Sequence, residues 1–447
     1  MKNAPKKKKK KGYIQNSTLI LIAFATAFFP RIIDAVGAPS PINFVHFAIV
    51  PLVCAIVLAT NKVKDSKQIS ICQSLLFALF FLLGVLITSG FFNGAGFINV
   101  FIAFMLLAEP FMLLIVIICI PMSLKSLKQF KVWILSFAVI HVLLAFVQKI
   151  LLAAGILVRT DMTEADNVQG VFYLSGGGHV VGASVAMSFG LYCLVNSKTI
   201  PLWIRVSGFL AAFFHLLLAD AKQVLIVWLL AWGFLILSNI KDTKVTIQYI
   251  VLMIVIGFIL FWCIQNLETF RAFKTWIRPG YYGPNGIATQ LKISSFRLIS
   301  NYYKSPLNWL FGLGPGHTVG RLGGWMLQKY DDLLIPLGAT VHPVSQEVLA
   351  EWQETWLDSS FFSPLFGWAA IWGDIGLVGL LAYLYLCSIV WHKLCIDDFG
   401  KFMMLTVMIH GFIFTQMEEP GYMLCIAVLI GLKWQDNQIK ASNKLYY

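Results

Sequence analysis

The sequence predicts an all-α, polytopic integral membrane protein of about twelve transmembrane helices with one large extracytoplasmic loop. Three observations carry this expectation. Of 447 residues, 58% are hydrophobic and only 12% are charged, too few charges to give a soluble chain of this length a polar surface. Apolar stretches close to the length that spans roughly 30 Å of hydrocarbon recur along the chain. Lysine and arginine collect in alternate connecting segments, the asymmetry that sets membrane topology.

Taken in order, the chain opens on a basic tail, 1–16, containing the run Lys6 to Lys11. The first apolar stretch, 17–33, follows that run as a signal peptide would, but Pro30 and Arg31 stand where a small-residue cleavage site belongs, so it reads as a retained helix. Stretches at 42–60, 69–88, 97–120, 131–154, 178–196, 203–219, 222–238 and 245–264 complete a first transmembrane block, 17–264. Within it, only Ala219-Asp220-Ala221-Lys222-Gln223 separates two spans. A second block, 365–433, holds stretches at 365–391, 402–416 and 420–433, and 434–447 forms a terminal tail. Lys62, Lys64, Lys67, Lys125, Lys128, Lys131, Lys198, Arg205, Lys241, Lys244, Lys393, Lys401, Lys433, Lys440 and Lys444 fall on the side of the first tail. The short connections on the other side hold only Arg31, Arg159 and Lys222. Both termini are therefore expected in the cytoplasm. The net charge of +13 is then mainly a topology signal, and the lysine tail touches anionic headgroups rather than nucleic acid.

Eight cysteines, Cys54, Cys72, Cys119, Cys193, Cys263, Cys387, Cys395 and Cys425, lie in apolar segments or on the cytoplasmic side without a CxxC pair. Neither a disulfide scaffold nor a thiolate metal site is expected. Between the two blocks, 265–364 breaks the pattern: polar, glycine-rich and aromatic, and outside by parity. A connection this long is either functional or disordered, and Trp276, Tyr281, Tyr282, Trp309, Trp325, Trp352 and Trp356 favour order.

Ionisable residues at membrane depth are costly and mark candidate sites. Asp220 and Lys222 stand near the outer boundary with Gln223 as a further donor; a snorkelling lysine in a tight turn is the bland alternative. In the loop, Ser294-Ser295-Phe296-Arg297-Leu298 precedes Leu310-Phe311-Gly312-Leu313-Gly314-Pro315-Gly316-His317. Glycines at 312, 314 and 316 allow main-chain N–H groups to face an anion, with Gly314 and Gly316 the candidate contacts. His179, after Gly176-Gly177-Gly178, and Arg321 are candidate sugar contacts, His179 being equally suited to a packed helix cap. Glu418 and Glu419 lie in the last outer turn, where solvated carboxylates are expected, and His46, His141, His215 and His410 read as core histidines.

The order Ala-Asp-Ala-Lys-Gln at 219–223, an arginine helix, Leu-Phe-Gly-Leu-Gly-Pro-Gly, then Gly373-Asp374-Ile375-Gly376-Leu377-Val378-Gly379-Leu380 resembles the O-antigen ligase and O-antigen polymerase superfamily over about residues 165 to 385. That resemblance implies a glycosyltransferase of the bacterial inner (plasma) membrane, acting on oligosaccharide carried by undecaprenyl diphosphate. It implies no metal and no nucleotide-sugar cofactor. Lys222 stands where the family has an arginine and Arg297 matches the arginine before the glycine motif, both as diphosphate contacts, with Gln223 beside them. The family's ligase branch carries a histidine before its Gly-Leu-Val-Gly helix; here Asp358 to Leu365 contains none, which favours polymerase over ligase. His317, Glu351 and Asp358 are then the candidate bases, His317 first, with His342 also available. The implied partners are the undecaprenyl-diphosphate-linked oligosaccharide, membrane lipids, a chain-length regulator and a flippase. A ligase transferring glycan to lipid A or protein, and a polysaccharide transporter or flippase, are the rival readings.

Overall fold

The computed structural model describes residues 16–61, 65–157, 163–197, 199–238, 243–267, 270, 273–274, 278–355, 357 and 359–444. Lys6 to Lys11, Lys62, Lys64, Arg159, Lys198, Lys241, Trp276, Trp356 and Asp358 lie outside the described residues.

Each of the twelve apolar stretches holds a helix: α1 (Asn16–Phe28) with α2 (Pro30–Ala35), α3 (His46–Thr60), α4 (Ser66–Asn93), α5 (Phe97–Cys119), α6 (Leu124–Ala153), α7 (Gly178–Asn196), α8 (Leu202–Leu218), α9 (Lys222–Ser238) and α10 (Thr243–Asn266) in the first block. The outer segment contributes α11 (Ile287–Asn301), α12 (Pro306–Phe311) and α13 (Pro343–Gln353), and the second block α14 (Gly367–Lys393), α15 (Asp398–Ile413) and α16 (Pro420–Lys444). Among the described residues, seven helical segments are long and apolar enough to cross a membrane, and Ser17–Phe28, Leu202–Leu218 and Lys222–Ser238 are shorter apolar helices. The chain is thus a helical membrane protein in which, among the described residues, helices of full spanning length number fewer than the twelve apolar stretches. The shortfall has a local cause at α8 and α9, 17 residues each, which rise only about 25 Å at 1.5 Å per residue. Asp220, at φ +51°, turns the chain between them and keeps the two stretches separate.

α5 is the axis of the bundle. Apart from Asn99 and Glu109 its sequence is apolar all round, as a helix surrounded by others requires, and nearly all of it is buried. α3, α4 and α16 pack around it, α14 packs on α4, α7 on α8, and α15 on α9. α10 is the opposite case: none of its apolar window is buried, so its side chains face whatever surrounds the bundle. Lysines pin one end of the bundle, where Lys131 meets Asp436 at 2.5 Å, Lys433 meets Asp397 at 2.8 Å and Lys393 Nζ donates to Ser74 Oγ at 2.8 Å.

At the other end, the described part of 265–364 forms a packed cap rather than a free loop. α11 lies on α13, and α12 on α14. Tyr281, Ala288, Leu291, Leu357 and Phe362 make a small core of their own. Trp309, one of the aromatics behind the expectation of order, meets Tyr303 and the α14 residue Trp372 in one cluster with centroids 5.1–6.0 Å apart.

The helix histidines behave as core residues. His46 Nδ1 bonds Glu109 at 2.8 Å, linking α3 to α5; His141 Nε2 bonds the Gly182 carbonyl at 2.9 Å; His410 Nδ1 bonds the Thr406 carbonyl at 2.8 Å. His215 lays its ring on His141 with centroids 5.2 Å apart.

Candidate functional site

The two glycine motifs, some sixty positions apart in sequence, are one structural unit. Gly376 interrupts α14 at φ +67°, and a Cβ there would lie 2.3 Å from the Leu310 carbonyl carbon. Gly312, at φ +71°, approaches α14 equally closely, its would-be Cβ 2.4 Å from the Asp374 carbonyl carbon. Glycine is required at both, by backbone conformation and by space. Leu313 N–H donates to the Gly373 carbonyl at 2.8 Å and Gly314 N–H to that of Asp374 at 3.0 Å. The Asp374 carboxylate then fills the loop: Gly316 N–H donates to Oδ2 at 2.7 Å, and Thr318 donates to Oδ1 through N–H at 2.8 Å and its hydroxyl at 2.6 Å. The glycine run does turn N–H groups onto an anion, but the anion belongs to the protein. Gly314 and Gly316 therefore spend these donors inside the fold, a correction to their expected role as diphosphate contacts.

His317 is likewise corrected. It is 4% exposed, with Nδ1 2.8 Å from the Leu313 carbonyl and Nε2 2.8 Å from Thr340 Oγ1, so both ring nitrogens brace the glycine loop. Burial also lowers its basicity. Glu351 accepts a forked bond from Arg297, at 2.6 and 2.8 Å, on the surface of the cap. Asp358 falls outside the described residues.

Lys222 and Arg297 bond to different neighbours. Lys222, 7% exposed, begins α9 and pairs with Asp220 in the turn before it. Gln223 accepts from Ser360 Oγ at 3.1 Å, and its amide nitrogen is buried without a partner among the described residues. Arg297 projects outward, its side chain 52% exposed. The cation that α11 turns inward is Lys292, five positions earlier and so about 140° around the helix. Its Nζ donates to the carbonyls of Ser363 at 2.5 Å and Ile413 at 2.7 Å, and burial pushes the amine down to about 7.

A denser gathering of charge surrounds Trp325, in the π-turn Leu322–Met326 of the cap. The Arg321 guanidinium lies 4.9 Å from the indole centroid, that of Arg31 5.1 Å and the Lys329 ammonium 5.3 Å. Cations over an indole face are individually stabilised by about 0.5–2 kcal/mol, yet three so close repel one another. Arg31 also donates to Tyr330 Oη at 2.7 Å, Lys329 to the Leu174 carbonyl at 3.3 Å, and Arg321 pairs with Glu419. Burial and the neighbouring Arg31 push Arg321 down to about 9, which leaves it charged at neutral pH.

The turn Thr415–Glu418, between α15 and α16, forms the floor of this region. Glu418 and Glu419, expected to be solvated, are each 6% exposed, because the turn folds beneath the cap and the cap's Arg321 closes over it. Arg321 N–H donates to Glu418 Oε2 at 2.8 Å, and burial pushes the Glu418 carboxyl up to about 8. Gln416 is 1% exposed with neither amide atom partnered among the described residues, and Glu418 Oε1 and His179 Nδ1 are orphaned in the same way. Buried polar atoms are seldom left without partners, and an orphan set around one turn is what a polar ligand would complete.

His179 belongs to the same neighbourhood. It begins α7, 6% exposed, with Nε2 3.6 Å from Asp166 Oδ1. The glycines just before it touch the cationic cluster: a Cβ on Gly176 would lie 3.2 Å from Trp325 Nε1, and one on Gly177 2.8 Å from the Phe414 ring. An anion can be held here by three cations, with a histidine and carboxylate pair nearby to receive a proton. Of the sequence candidates, Arg321 and His179 stand in this constellation; Arg31, Trp325, Lys329, Gln416, Glu418 and Glu419 join them only in the structure. One signal was available beforehand, since Arg31 and Lys222 are cations on the side where the charge pattern calls for few. No family model, curated protein or solved structure matches the chain.

Proposed function

We propose that the chain is a membrane glycosyltransferase that polymerises undecaprenyl-diphosphate-linked oligosaccharide repeats at the outer leaflet, for an exopolysaccharide, capsule or O-antigen. One observation carries this reading: three cations converge on Trp325 beside orphaned buried polar groups, at the capped end of an apolar bundle. A lipid diphosphate would bring its anion to that level while its tail remains in hydrocarbon. By the lysine asymmetry, the capped end faces outward and the termini face the cytoplasm.

In this reading the acceptor hydroxyl oxygen bonds to the anomeric carbon as the bond from that carbon to the diphosphate oxygen breaks. The electron pair leaves with the diphosphate, where Arg31, Arg321 and Lys329 stabilise it. The hydroxyl proton passes to His179 Nδ1, whose lone pair is presented when the ring's proton sits on Nε2, toward Asp166. Lys222 and Gln223 stand buried at the start of α9, just after Asp220, whose charge acts on His179.

The test is turnover by purified protein in sealed proteoliposomes of one synthetic undecaprenyl-diphosphate-linked repeat. A ladder of products is expected. A single transfer to lipid A or protein would replace polymerase with ligase. No product, with lipid-linked glycan moved across the bilayer instead, would replace both with a flippase.

A further inference from the structure

Where α4 meets the cap, a cavity of about 300 Å³ that Trp325 does not line opens among Phe92, Asn93, Tyr302, Lys304, Asn308 and His342. Exposed apolar side chains on the same elements, Phe91, Trp309 and Leu310, suit the level at which hydrocarbon gives way to headgroups. Its polar floor is rigid. Asn308 donates to Asn93 Oδ1 at 3.1 Å and to the Gly312 carbonyl at 3.0 Å, while its own Oδ1 accepts from the N–H groups of Lys304 and Ser305, both at 3.1 Å.

Two donors are left over. His342 caps α13 by accepting the Val344 N–H on Nδ1 at 3.2 Å, which places the ring's proton on Nε2, and Nε2 has no hydrogen-bond partner among the described residues. Lys304 is exposed and forms no ion pair among the described residues. Two aromatic rings stand beside these donors, Phe92, 52% exposed, and Tyr302, whose ring meets that of His342 edge to face at 4.9 Å.

A single cation with an imidazole donor makes a poor phosphate site, and a floor of amides makes a poor site for an acyl chain. A saccharide uses every part: hydroxyls on fixed donors and acceptors, and C–H faces on aromatic rings. The volume sits at the lower end of the roughly 300–1,000 Å³ typical of small-molecule sites, room for a mono- or disaccharide. We propose that this cavity is a saccharide subsite, with His342 and Lys304 as its hydroxyl-binding residues and Phe92 and Tyr302 as its stacking surface. Its role as the place where the glycan is held during transfer rests on the transferase reading; the binding itself does not.

The experiment is saturation-transfer NMR on protein in nanodiscs, with the methyl glycosides of glucose, galactose, N-acetylglucosamine and glucuronic acid, and maltose, as probes. At least one probe is expected to bind. His342→Asn, which keeps a cap acceptor but removes the Nε2 donor, and Lys304→Ala at the exposed rim should each weaken that binding about tenfold, as loss of one hydrogen bond would. Arg321→Ala should leave it unchanged. Absence of signal from every probe on folded protein, unaltered binding in both cavity variants, or loss of binding in Arg321→Ala would overturn the subsite. Protein that binds a probe with the expected variant pattern, yet makes no product from a lipid-linked repeat, would support the subsite and count against the transferase reading alone.

Discussion

At the residue scale, position rather than type separates the two loop arginines. Arg321 is buried against Trp325 and Glu419, whereas Arg297 forms a surface pair with Glu351. Removing a cation that meets a developing leaving-group charge costs roughly 10²–10³ in rate, so Arg321→Ala is expected to lower transfer by that factor at normal protein level. An exposed ion pair is worth about 0.2–1 kcal/mol, and Arg297→Ala should leave transfer within a few-fold of normal. Turnover of the lipid-linked repeat by both variants decides; an equal loss would return the anion site to Arg297. Lys292 makes a second residue-scale prediction. Its amine falls from an ordinary value of 10.5 to about 7 on folding, so between those values the unfolded chain holds a proton that the folded chain has released. Stability should therefore rise with pH across that window, by at most about 1.4 kcal/mol per pH unit from this group. Below pH 7 both states are protonated and the slope vanishes. Lys292→Met removes the group, so the thermal midpoint of the native protein should gain on the variant's between pH 7 and pH 9; a constant difference would show that Lys292 stays charged in the fold.

At the element scale, the junction between the glycine loop and α14 holds the cap to the bundle. An alanine at Gly376 meets both a positive-φ, extended backbone that is essentially reserved to glycine, which costs about 1–3 kcal/mol, and the Leu310 carbonyl carbon at 2.3 Å. Gly376→Ala should lower the thermal midpoint more than Gly257→Ala on α10, where a Cβ meets nothing within 4 Å. Asp374→Ala should destabilise by about 1–3 kcal/mol for each buried donor it orphans, Gly316 N–H and the two of Thr318. A normal midpoint in either variant would mean that the junction forms without these contacts. Both motifs were visible in the sequence, but their mutual docking was not. A glycine run announces unusual dihedrals without naming the partner that needs the space.

At the scale of the whole molecule, the distribution of charge makes the two ends of the bundle unlike. One end is laced by Lys131, Lys393 and Lys433; the other carries the cap and the cluster on Trp325. Single cysteines introduced as Ser126→Cys and Gln328→Cys in a cysteine-depleted background should differ in intact cells, with only Gln328→Cys taking up a membrane-impermeant maleimide. The reverse labelling would invert the molecule and remove the outer-leaflet assignment with it.

Hydrophobicity and charge asymmetry are properties of short windows, so the sequence by itself determined that the chain is helical, lies in a membrane, and places a helix in each of twelve apolar stretches. It also singled out Lys222, Gln223 and His179, because ionisable and polar groups at the edge of apolar segments stand out locally, and named Arg321 among the charges of the outer loop. Which cations stand together was decided only by tertiary structure. Arg31, Leu174 to His179, Arg321 to Tyr330 and Phe414 to Glu419 come from four distant segments, and no window contains more than a fragment of the set. The same holds for the corrected residues. His317, Gly314 and Gly316 are spent on Leu313, Thr340 and Asp374, and Glu418 and Glu419 are buried under Arg321. Whether a polar group is free for a ligand depends on which neighbours the fold delivers to it, and burial makes that choice over distances that sequence spacing does not record.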